Sequence, residues 1–383
     1  MIRTERAHLR VVAQTHPGLS GKNNEDRFAV SAYRRSRRDP TPVVLAVLAD
    51  GIGGHRAGEV AAEIAVETIS QKVAQSDGQQ PLLILQDAVR EASQRIHARS
   101  MTDPSQQGMG STCACALVLW DQLFAASVGD SRIYLLRDGD IHQLTTDHTW
   151  IQEALENGAI RLEEVRGHPN AHVIRRYLGS PIPPEVDLHL HLADTETEEQ
   201  AYANQGMRLQ AGDILLLCTD GLTDLVNDAE ISAAFTVQPL ETAVDTLIEL
   251  ANRRGGHDNI TLIAMQVPER WPAAFRRPRS LYLALSCLGA ATVLAVVAVL
   301  SILGWRYLTL AYRSTPTPTA SATFTALPVS ITLLPSTPLR ATGTPLPPTI
   351  PAAQPASAPV TGGATYTPWP TNTPPPTTST AYP

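Results

Sequence analysis

Four aspartates stand where apolar runs stop. Asp50 follows VVLAVLA, Asp130 follows FAASVG, Asp220 follows LLLCT, and Asp258 precedes NITLIAMQV. Three of them touch a glycine, in Asp50-Gly51, Gly129-Asp130 and Asp220-Gly221. One such aspartate is most often a turn former or a helix cap. Four with the same grammar imply another use. If the strand ends meet, the carboxylates repel one another and cannot all stay ionised in a semi-buried site without a cation. Oxygen donors alone favour a hard ion, Mg²⁺ or Mn²⁺, over zinc. His55, His148 and His257 lie nearby in the chain, but no two have the i, i+4 spacing of a zinc-binding helix. Glycine lets a backbone approach an ion closely, which makes the Gly51 carbonyl a candidate ligand. In GLSGKNNEDRFAV, Glu25 and Asp26 precede a further apolar run. They read either as a solvated turn or as more carboxylates for the same cluster.

Positioning these acids requires strands that end together. Strand-type runs are VVLAVLA, ACALVLW, LFAASVG, RIYLLR, ILLLCT and NITLIAMQV. Two amphipathic helices, AGEVAAEIAVETISQKV and LLILQDAVREASQRIHAR, lie between Asp50 and Gly110. Only Asp121-Gln122 separates the runs at 115–120 and 123–128, which predicts a hairpin and antiparallel pairing. Arg137-Asp138-Gly139-Asp140 reads as a second turn. The order is not a Rossmann alternation. It predicts an α+β fold, antiparallel sheets covered by helices.

Outside residues 1–269 the composition changes. Residues 281–305 carry no charge over a length that suffices for a bilayer, which takes roughly 20 residues. A buried core helix would show a polar face. Arg270, Arg276, Arg277 and Arg279 precede the run within a basic linker (270–280), and Arg306 and Arg313 follow it. The positive-inside rule therefore puts the N-terminal region in the cytoplasm and the tail outside, a single-pass topology in the cell membrane. The charged start MIRTERAHLR has no apolar core of a signal peptide, in keeping with that topology. The tail, 306–383, holds 17 of the 30 prolines and too few large apolar residues to offset the entropy of ordering, so it is expected to be a disordered, extended spacer. The net charge of −7 and the absence of a basic patch interleaved with aromatics argue against nucleic acid. Cys113, Cys115, Cys218 and Cys287 sit in apolar runs without CxxC spacing and read as core residues in a reducing compartment.

The chain also carries, in order, Asn24-Glu25-Asp26, Asp50-Gly51-Ile52-Gly53-Gly54-His55 with Ala57-Gly58-Glu59, and Gly110-Ser111-Thr112. There follow Val128-Gly129-Asp130-Ser131-Arg132, Asp147-His148, Cys218-Thr219-Asp220-Gly221-Leu222 and Asp258-Asn259-Ile260-Thr261. Over about residues 8–267 this ordered set resembles the bacterial PP2C-type (PPM family) metal-dependent protein serine/threonine phosphatases. The resemblance implies a four-layer α-β-β-α sandwich of two mainly antiparallel sheets flanked by helices, with a metal cluster at one edge. It implies two ions, or three, of Mn²⁺ or Mg²⁺. Asp50 would bridge two of them, the Gly51 carbonyl and Glu25 would serve one, and Asp220 and Asp258 the other. Asp130 with Asp220 would hold the third. Asp26 and Asn259 would orient the ligands from behind. Catalysis in the family relies on Asp50, Asp220 and Asp258 through metal-activated water, without a covalent phosphoenzyme.

Two positions depart from the family pattern. Gly21 stands where many members have a phosphate-gripping arginine, which leaves Lys22 as the candidate phosphate-binding residue; lysine offers a point charge and no bidentate fork. Ile52 stands where some eukaryotic members have a histidine that protonates the leaving group. Arg166, His168, Arg175 and Arg176 are candidate phosphopeptide contacts, although a solvated helix face plus a loop is the better account of them. The expected partners are phosphoprotein substrates and a membrane Ser/Thr kinase, inferred by family analogy, with the bilayer contacted through 281–305. The alternative function is a catalytically weak or inactive module that binds phosphoproteins.

Overall fold

In the computed structural model, which describes residues 1–53, 57–165, 168–193, 195–269 and 279–313, the run VVLAVLA is a strand buried at every position. Its alternate side chains go to different cores. Val43, Leu45, Val47 and Ala49 pack with Ala61, Ala65, Ile69, Leu85 and Ile96 of two helices, Ala57–Gln75 and Pro81–Thr102. Val44, Ala46 and Leu48 pack instead against Leu215, Leu217, Ile263 and Met265 of a second sheet. On that second sheet Leu216, Cys218, Leu262 and Ala264 face outward to Ile231 and Leu247, from the helices Asp228–Val237 and Leu240–Arg253. A strand buried on both faces reads as a continuous apolar run because its period-2 alternation serves two cores at once. The result is the expected α-β-β-α layering.

With strands numbered along the chain, the first sheet has the order β1 (Ile2–Thr4), β3 (Arg27–Arg34), β4 (Pro42–Ala49), β7 (Cys113–Leu119), β8 (Gln122–Val128) and β11 (Met207–Arg208). The second has β10 (Asp140–Gln143), β9 (Arg132–Arg137), β12 (Ile214–Cys218), β13 (Ile260–Gln266) and β2 (Arg10–His16). A small third sheet pairs β5 (Gly51–Ile52) with β6 (Gly110–Ser111). Every strand pair is antiparallel.

Antiparallel register is what gathers the acids. Arg27, the first residue of β3, pairs with Ala49, the last of β4, so Asp26 and Asp50 flank one sheet edge. Cys113 at the start of β7 pairs with Val128 at the end of β8, which brings Gly129-Asp130 to that edge. Cys218 at the end of β12 pairs with Leu262 near the start of β13, so Asp220 and Asp258 adjoin in the second sheet.

The two predicted hairpins form. The first loop is Trp120-Asp121, one residue earlier than expected: Leu119 pairs with Gln122, and Trp120 turns the chain at φ 57°. The second is Asp138-Gly139, both at positive φ, as a type I′ turn requires. Cys113, Cys115 and Cys218 are free and buried. A separate helix spans Arg279–Arg313, beyond both ends of the predicted 281–305 span, so residues 306–313 are helical where an extended tail was expected. Within the helix, Thr292–Thr309 has mean hydropathy 1.7 and is long and apolar enough to cross a membrane. The linker residues 270–278 and the tail from 314 lie outside the described residues, as do Gly54, His55 and Arg166.

Candidate metal centre

Asp50 is fixed through its backbone. Its N–H donates to Thr112 Oγ1 at 3.0 Å, and its carbonyl accepts from Thr112 N–H at 2.8 Å and Ser111 Oγ at 2.9 Å. Thr112 Oγ1 is itself bonded to Ser131 Oγ at 2.7 Å. The Gly110-Ser111-Thr112 motif is therefore the clamp that aims Asp50.

Glu25 is fixed by Asn259. The Asn259 Oδ1 accepts the Glu25 N–H at 2.7 Å, and its Nδ2 donates to the carbonyls of Pro17 and Asn23 at 3.1 and 3.2 Å. The Asn259 N–H donates to Asp258 Oδ1 at 2.9 Å. Asn259 thus ties Glu25, just ahead of β3, to Asp258, through its side-chain amide on one side and its backbone N–H on the other. Glu25 and the Gly51 carbonyl converge at Gly58. A Cβ added there would sit 2.4 Å from Glu25 Oε2 and 2.6 Å from Gly51 O. Arg27 braces the same corner, with hydrogen bonds to the carbonyls of Asn24 and Asp26 and an ion pair to Glu59.

Asp26 crosses between the sheets in the other sense. Its Oδ2 accepts from the hydroxyls of Thr219 at 3.1 Å and Thr261 at 2.6 Å, while Oδ1 is buried without a partner. Asp220 Oδ1 is likewise buried and receives no hydrogen bond. The Asp50 carboxyl lies within hydrogen-bonding reach of Asp220, acid against acid. Burial, then the charges of Asp26, Asp220, Asp130 and Asp258, hold the Asp50 carboxyl well above the usual range. Burial, then Asp220 and Asp147, does the same for Asp130. Burial is also the main cause for Asp26, pushed up to about 7, and for Asp220, pushed up to about 6 with Asp224 and Asp258 adding to it. The expected ligands Glu25, Asp50, Gly51, Asp130, Asp220 and Asp258 are thus brought to one edge. Orphaned buried oxygens and mutually raised acids are what a divalent cation would relieve, so the donor set fits Mg²⁺ or Mn²⁺.

These shifts give a stability prediction. Unfolded Asp titrates near ~3.9. Folded metal-free protein therefore holds protons that the unfolded chain has lost, between about pH 4 and the folded values near 6 and 7. Stability contributed by this centre falls as pH rises through that window. Thermal melts in chelator should show Tm dropping from pH 5 to pH 8, with added Mn²⁺ recovering most at pH 8. A Tm gain on adding Mn²⁺ that is equal at both pH values would contradict it.

Behind Asp130, Arg132 grips Asp147 through Nε at 2.9 Å and Nη2 at 2.7 Å and donates to Tyr134 Oη at 2.8 Å, which donates on to Asp228. Removing one member of such a pair leaves the other uncompensated. Arg132→Ala should lower unfolding stability by about 3 kcal/mol in a denaturant melt; a loss within error of zero would show that Asp147 finds other partners.

Other expected residues are placed differently. Lys22 is exposed. Gly21 takes φ +74°, a backbone that strains an L side chain and accounts for the lack of arginine there. Arg175 is paired with Glu153 at 3.0 Å, and Arg176 lines an acid-rich groove of about 810 Å³ with Glu153, Asp187 and Glu198. His168 stacks on Trp150 at 4.9 Å. None of these three is arranged as a phosphate grip. Two residues at the centre had no role in the sequence reading: His172 and Asp224, whose donors approach Asp220. Asp224 was detectable as i+4 to Asp220, had a helix been expected to start at Asp220; nothing local marked His172.

The family model for protein phosphatase 2C matches residues 19–252. The chain is similar to the serine/threonine protein phosphatase PstP of Mycobacterium tuberculosis, at 36% identity over 260 residues, 68% of this chain and 45% of that one. It thus spans about half the length of that relative. It is also similar to the serine/threonine phosphatase stp of Listeria innocua, at 33% identity over 258 residues, covering 66% of this chain and 94% of the relative. Among solved structures it matches the PstP catalytic domain in complex with two manganese ions, with TM-score 0.54, 34% identity and 67% of this chain covering 97% of that one.

Proposed function

Because the chain belongs to the protein phosphatase 2C family, we propose that it hydrolyses phosphoserine and phosphothreonine esters in proteins with Mn²⁺ or Mg²⁺ bound at its acidic edge. The observation that carries this reading is the convergence of Asp50, Asp220 and Asp130 with an orphaned Asp220 oxygen, next to the Glu25–Gly51 corner. Asp50 would be shared by two ions. Glu25 and the Gly51 carbonyl would serve one, Asp220 and Asp258 the other, and Asp130 with Asp220 a third. When bound, the ions lower the pKa of water and offset charge on the phosphoryl oxygens.

The chain's own groups do the positioning. Ser111 and Thr112 hold the Asp50 backbone, and Asn259 holds Glu25 against Asp258. Asp26, braced by Thr219 and Thr261, keeps the two sheets in register beneath the centre. Lys22 is free to approach substrate phosphate as a point charge. Ile52 offers no proton, so solvent supplies the one taken by the departing serine or threonine oxygen. The helix Arg279–Arg313 anchors the enzyme in the cell membrane with the phosphatase domain cytoplasmic and the tail outside. That anchor concentrates the enzyme beside membrane Ser/Thr kinases and their phosphorylated targets.

The test is phosphate release from a phosphothreonine peptide by the full chain with Mn²⁺, with Mg²⁺ and with chelator. Turnover that requires metal is expected. Binding of phosphopeptide without turnover under either ion would favour the non-catalytic module instead.

A further inference from the structure

One corner of the sandwich, at the end opposite the metal edge, is basic. Arg27 and Ala49 mark the metal edge of the first sheet, and at the other end of the same two strands Arg34 pairs with Pro42. The turn between them carries Arg35-Ser36-Arg37-Arg38-Asp39 and is firmly built. Arg35 N–H donates to Thr41 O at 3.0 Å, and Ser36 N–H to Asp39 O at 2.9 Å. Ser36 Oγ accepts the N–H groups of Arg38 and Asp39 at 3.2 and 2.9 Å, and Arg35 pairs with Asp39 at 3.0 Å. Arg34, Arg37 and Arg38 are left exposed. β1 lies alongside, with Ile2 opposite Arg34, and brings the exposed Arg3 and Arg6 to the same corner. Among the described residues none of these five side chains forms an ion pair, whereas nearby Arg10 is paired with Glu241. The acids left here are Glu5, Asp77 and Glu269, so the corner is net positive on a chain whose net charge is −7.

The chain leaves the domain at this end. In the second sheet Ile260, close to Asp258, pairs with His16, and Gln266 at the far end pairs with Arg10. His8 Nε2 donates to Trp120 O at 2.8 Å, and Trp120 N–H donates to Pro42 O at 2.9 Å, which joins the two sheets at that end. Nine residues separate Glu269 from Arg279. Such a tether spans at most roughly 35 Å even when fully extended.

We propose that Arg3, Arg6, Arg34, Arg37 and Arg38 form a docking surface for the anionic phospholipid headgroups of the membrane that holds the helix Arg279–Arg313. The inference rests on the reading of that helix as a membrane anchor. Each arginine near an anionic surface is worth roughly fivefold in binding, and the guanidinium fork matches phosphate oxygens. A short tether keeps the local concentration high, so a contact too weak for a free domain is populated. Tyr33, the aromatic beside these arginines, is buried, so it offers no ring for stacking on a base, which favours headgroups over nucleic acid. Docking by this corner turns the metal edge away from the bilayer, at a height of roughly 25 Å, the length of the eight-residue strand β4. The substrates it selects are phosphorylated segments that stand off from the membrane surface.

The test uses the full chain in lipid nanodiscs of phosphatidylcholine, alone or mixed with phosphatidylglycerol. Phenylglyoxal labelling of arginines, read by peptide mass spectrometry, reports which of them the headgroups shield. Phosphatidylglycerol should slow labelling of Arg3, Arg34, Arg37 and Arg38 by at least about fivefold, and high salt should restore it. Arg161 and Arg253, exposed outside this corner, should label equally in both discs. Replacing Arg34, Arg37 and Arg38 together by Gln should release Arg3 and Arg6 from shielding. Replacing the same three by Lys, which keeps the charge, should not. The linker arginines are present in every variant, so they do not create the difference. Equal labelling of the corner in neutral and anionic discs would overturn the docking surface and leave the anchor standing. A chain that does not enter neutral discs at all would overturn the anchor and the docking with it. Stronger shielding of the corner by a DNA oligonucleotide than by phosphatidylglycerol would assign it to nucleic acid instead.

Discussion

Asp220→Asn is expected to lower Mn²⁺-dependent phosphate release by about three orders of magnitude, a loss of roughly 4 kcal/mol of transition-state stabilisation. The same substitution should raise the Tm of the metal-free protein. Asparagine has the shape of aspartate without its charge. At this position the charge faces Asp50, Asp224 and Asp258, and the buried Oδ1 receives no hydrogen bond. Without metal that charge is a liability, because burial and its neighbours push the Asp220 carboxyl up to about 6. With metal it is a ligand. Activity and metal-free stability should therefore move in opposite directions. Paired melts in chelator and phosphopeptide assays read both. An aspartate that merely capped its helix would lose stability on substitution and leave turnover largely intact, and that pattern would exclude Asp220 as a metal ligand.

Gly58→Ala should damage the other half of the centre. Alanine is favoured over glycine inside a helix by about 1 kcal/mol, and Gly58 lies in the helix Ala57–Gln75. On helix propensity alone the variant gains stability. The new methyl, however, would stand 2.4 Å from Glu25 Oε2, 2.6 Å from Gly51 O and 2.7 Å from Gly51 C. Glu25 can swing aside. The Gly51 backbone cannot, because β5 is paired to β6 and Asp50 is clamped by Ser111 and Thr112. Overpacking of this kind costs about 1–3 kcal/mol. The displaced Glu25 carboxylate is proposed to share an ion with the Gly51 carbonyl, so the Mn²⁺ concentration for half-maximal activity should rise by at least about tenfold. Unchanged metal dependence would show that this corner does not bind an ion.

Much of the fold and of the acidic edge is legible in the sequence. Val43–Ala49 declares itself because both of its faces are buried, and the acids declare their edge because each one follows or precedes such a run. The edge strand β2, Arg10–His16, does not. It has a polar, half-exposed pattern that pairs on one side only, and its place beside β13 is set by a long-range register, Ile260 with His16. Local periodicity carries no record of such a pairing. Gly21 looks like a missing phosphate grip in the sequence. The positive φ supplies the cause: the loop takes a conformation arginine resists. His172 is invisible for a different reason. It lies close to Asp220 at the end of a loop held in part by backbone bonds from Trp150 to Val173 and from Arg175 to His148, which leave no residue signature.

The central claim, that one edge of the sandwich is a multinuclear metal centre, is tested most directly by anomalous scattering from crystals grown with Mn²⁺. Two manganese peaks are expected with Asp50 between them, one beside Glu25 and the Gly51 carbonyl and the other beside Asp220 and Asp258. A map with Mn²⁺ in the crystal and no peak within reach of Asp50 would contradict the account.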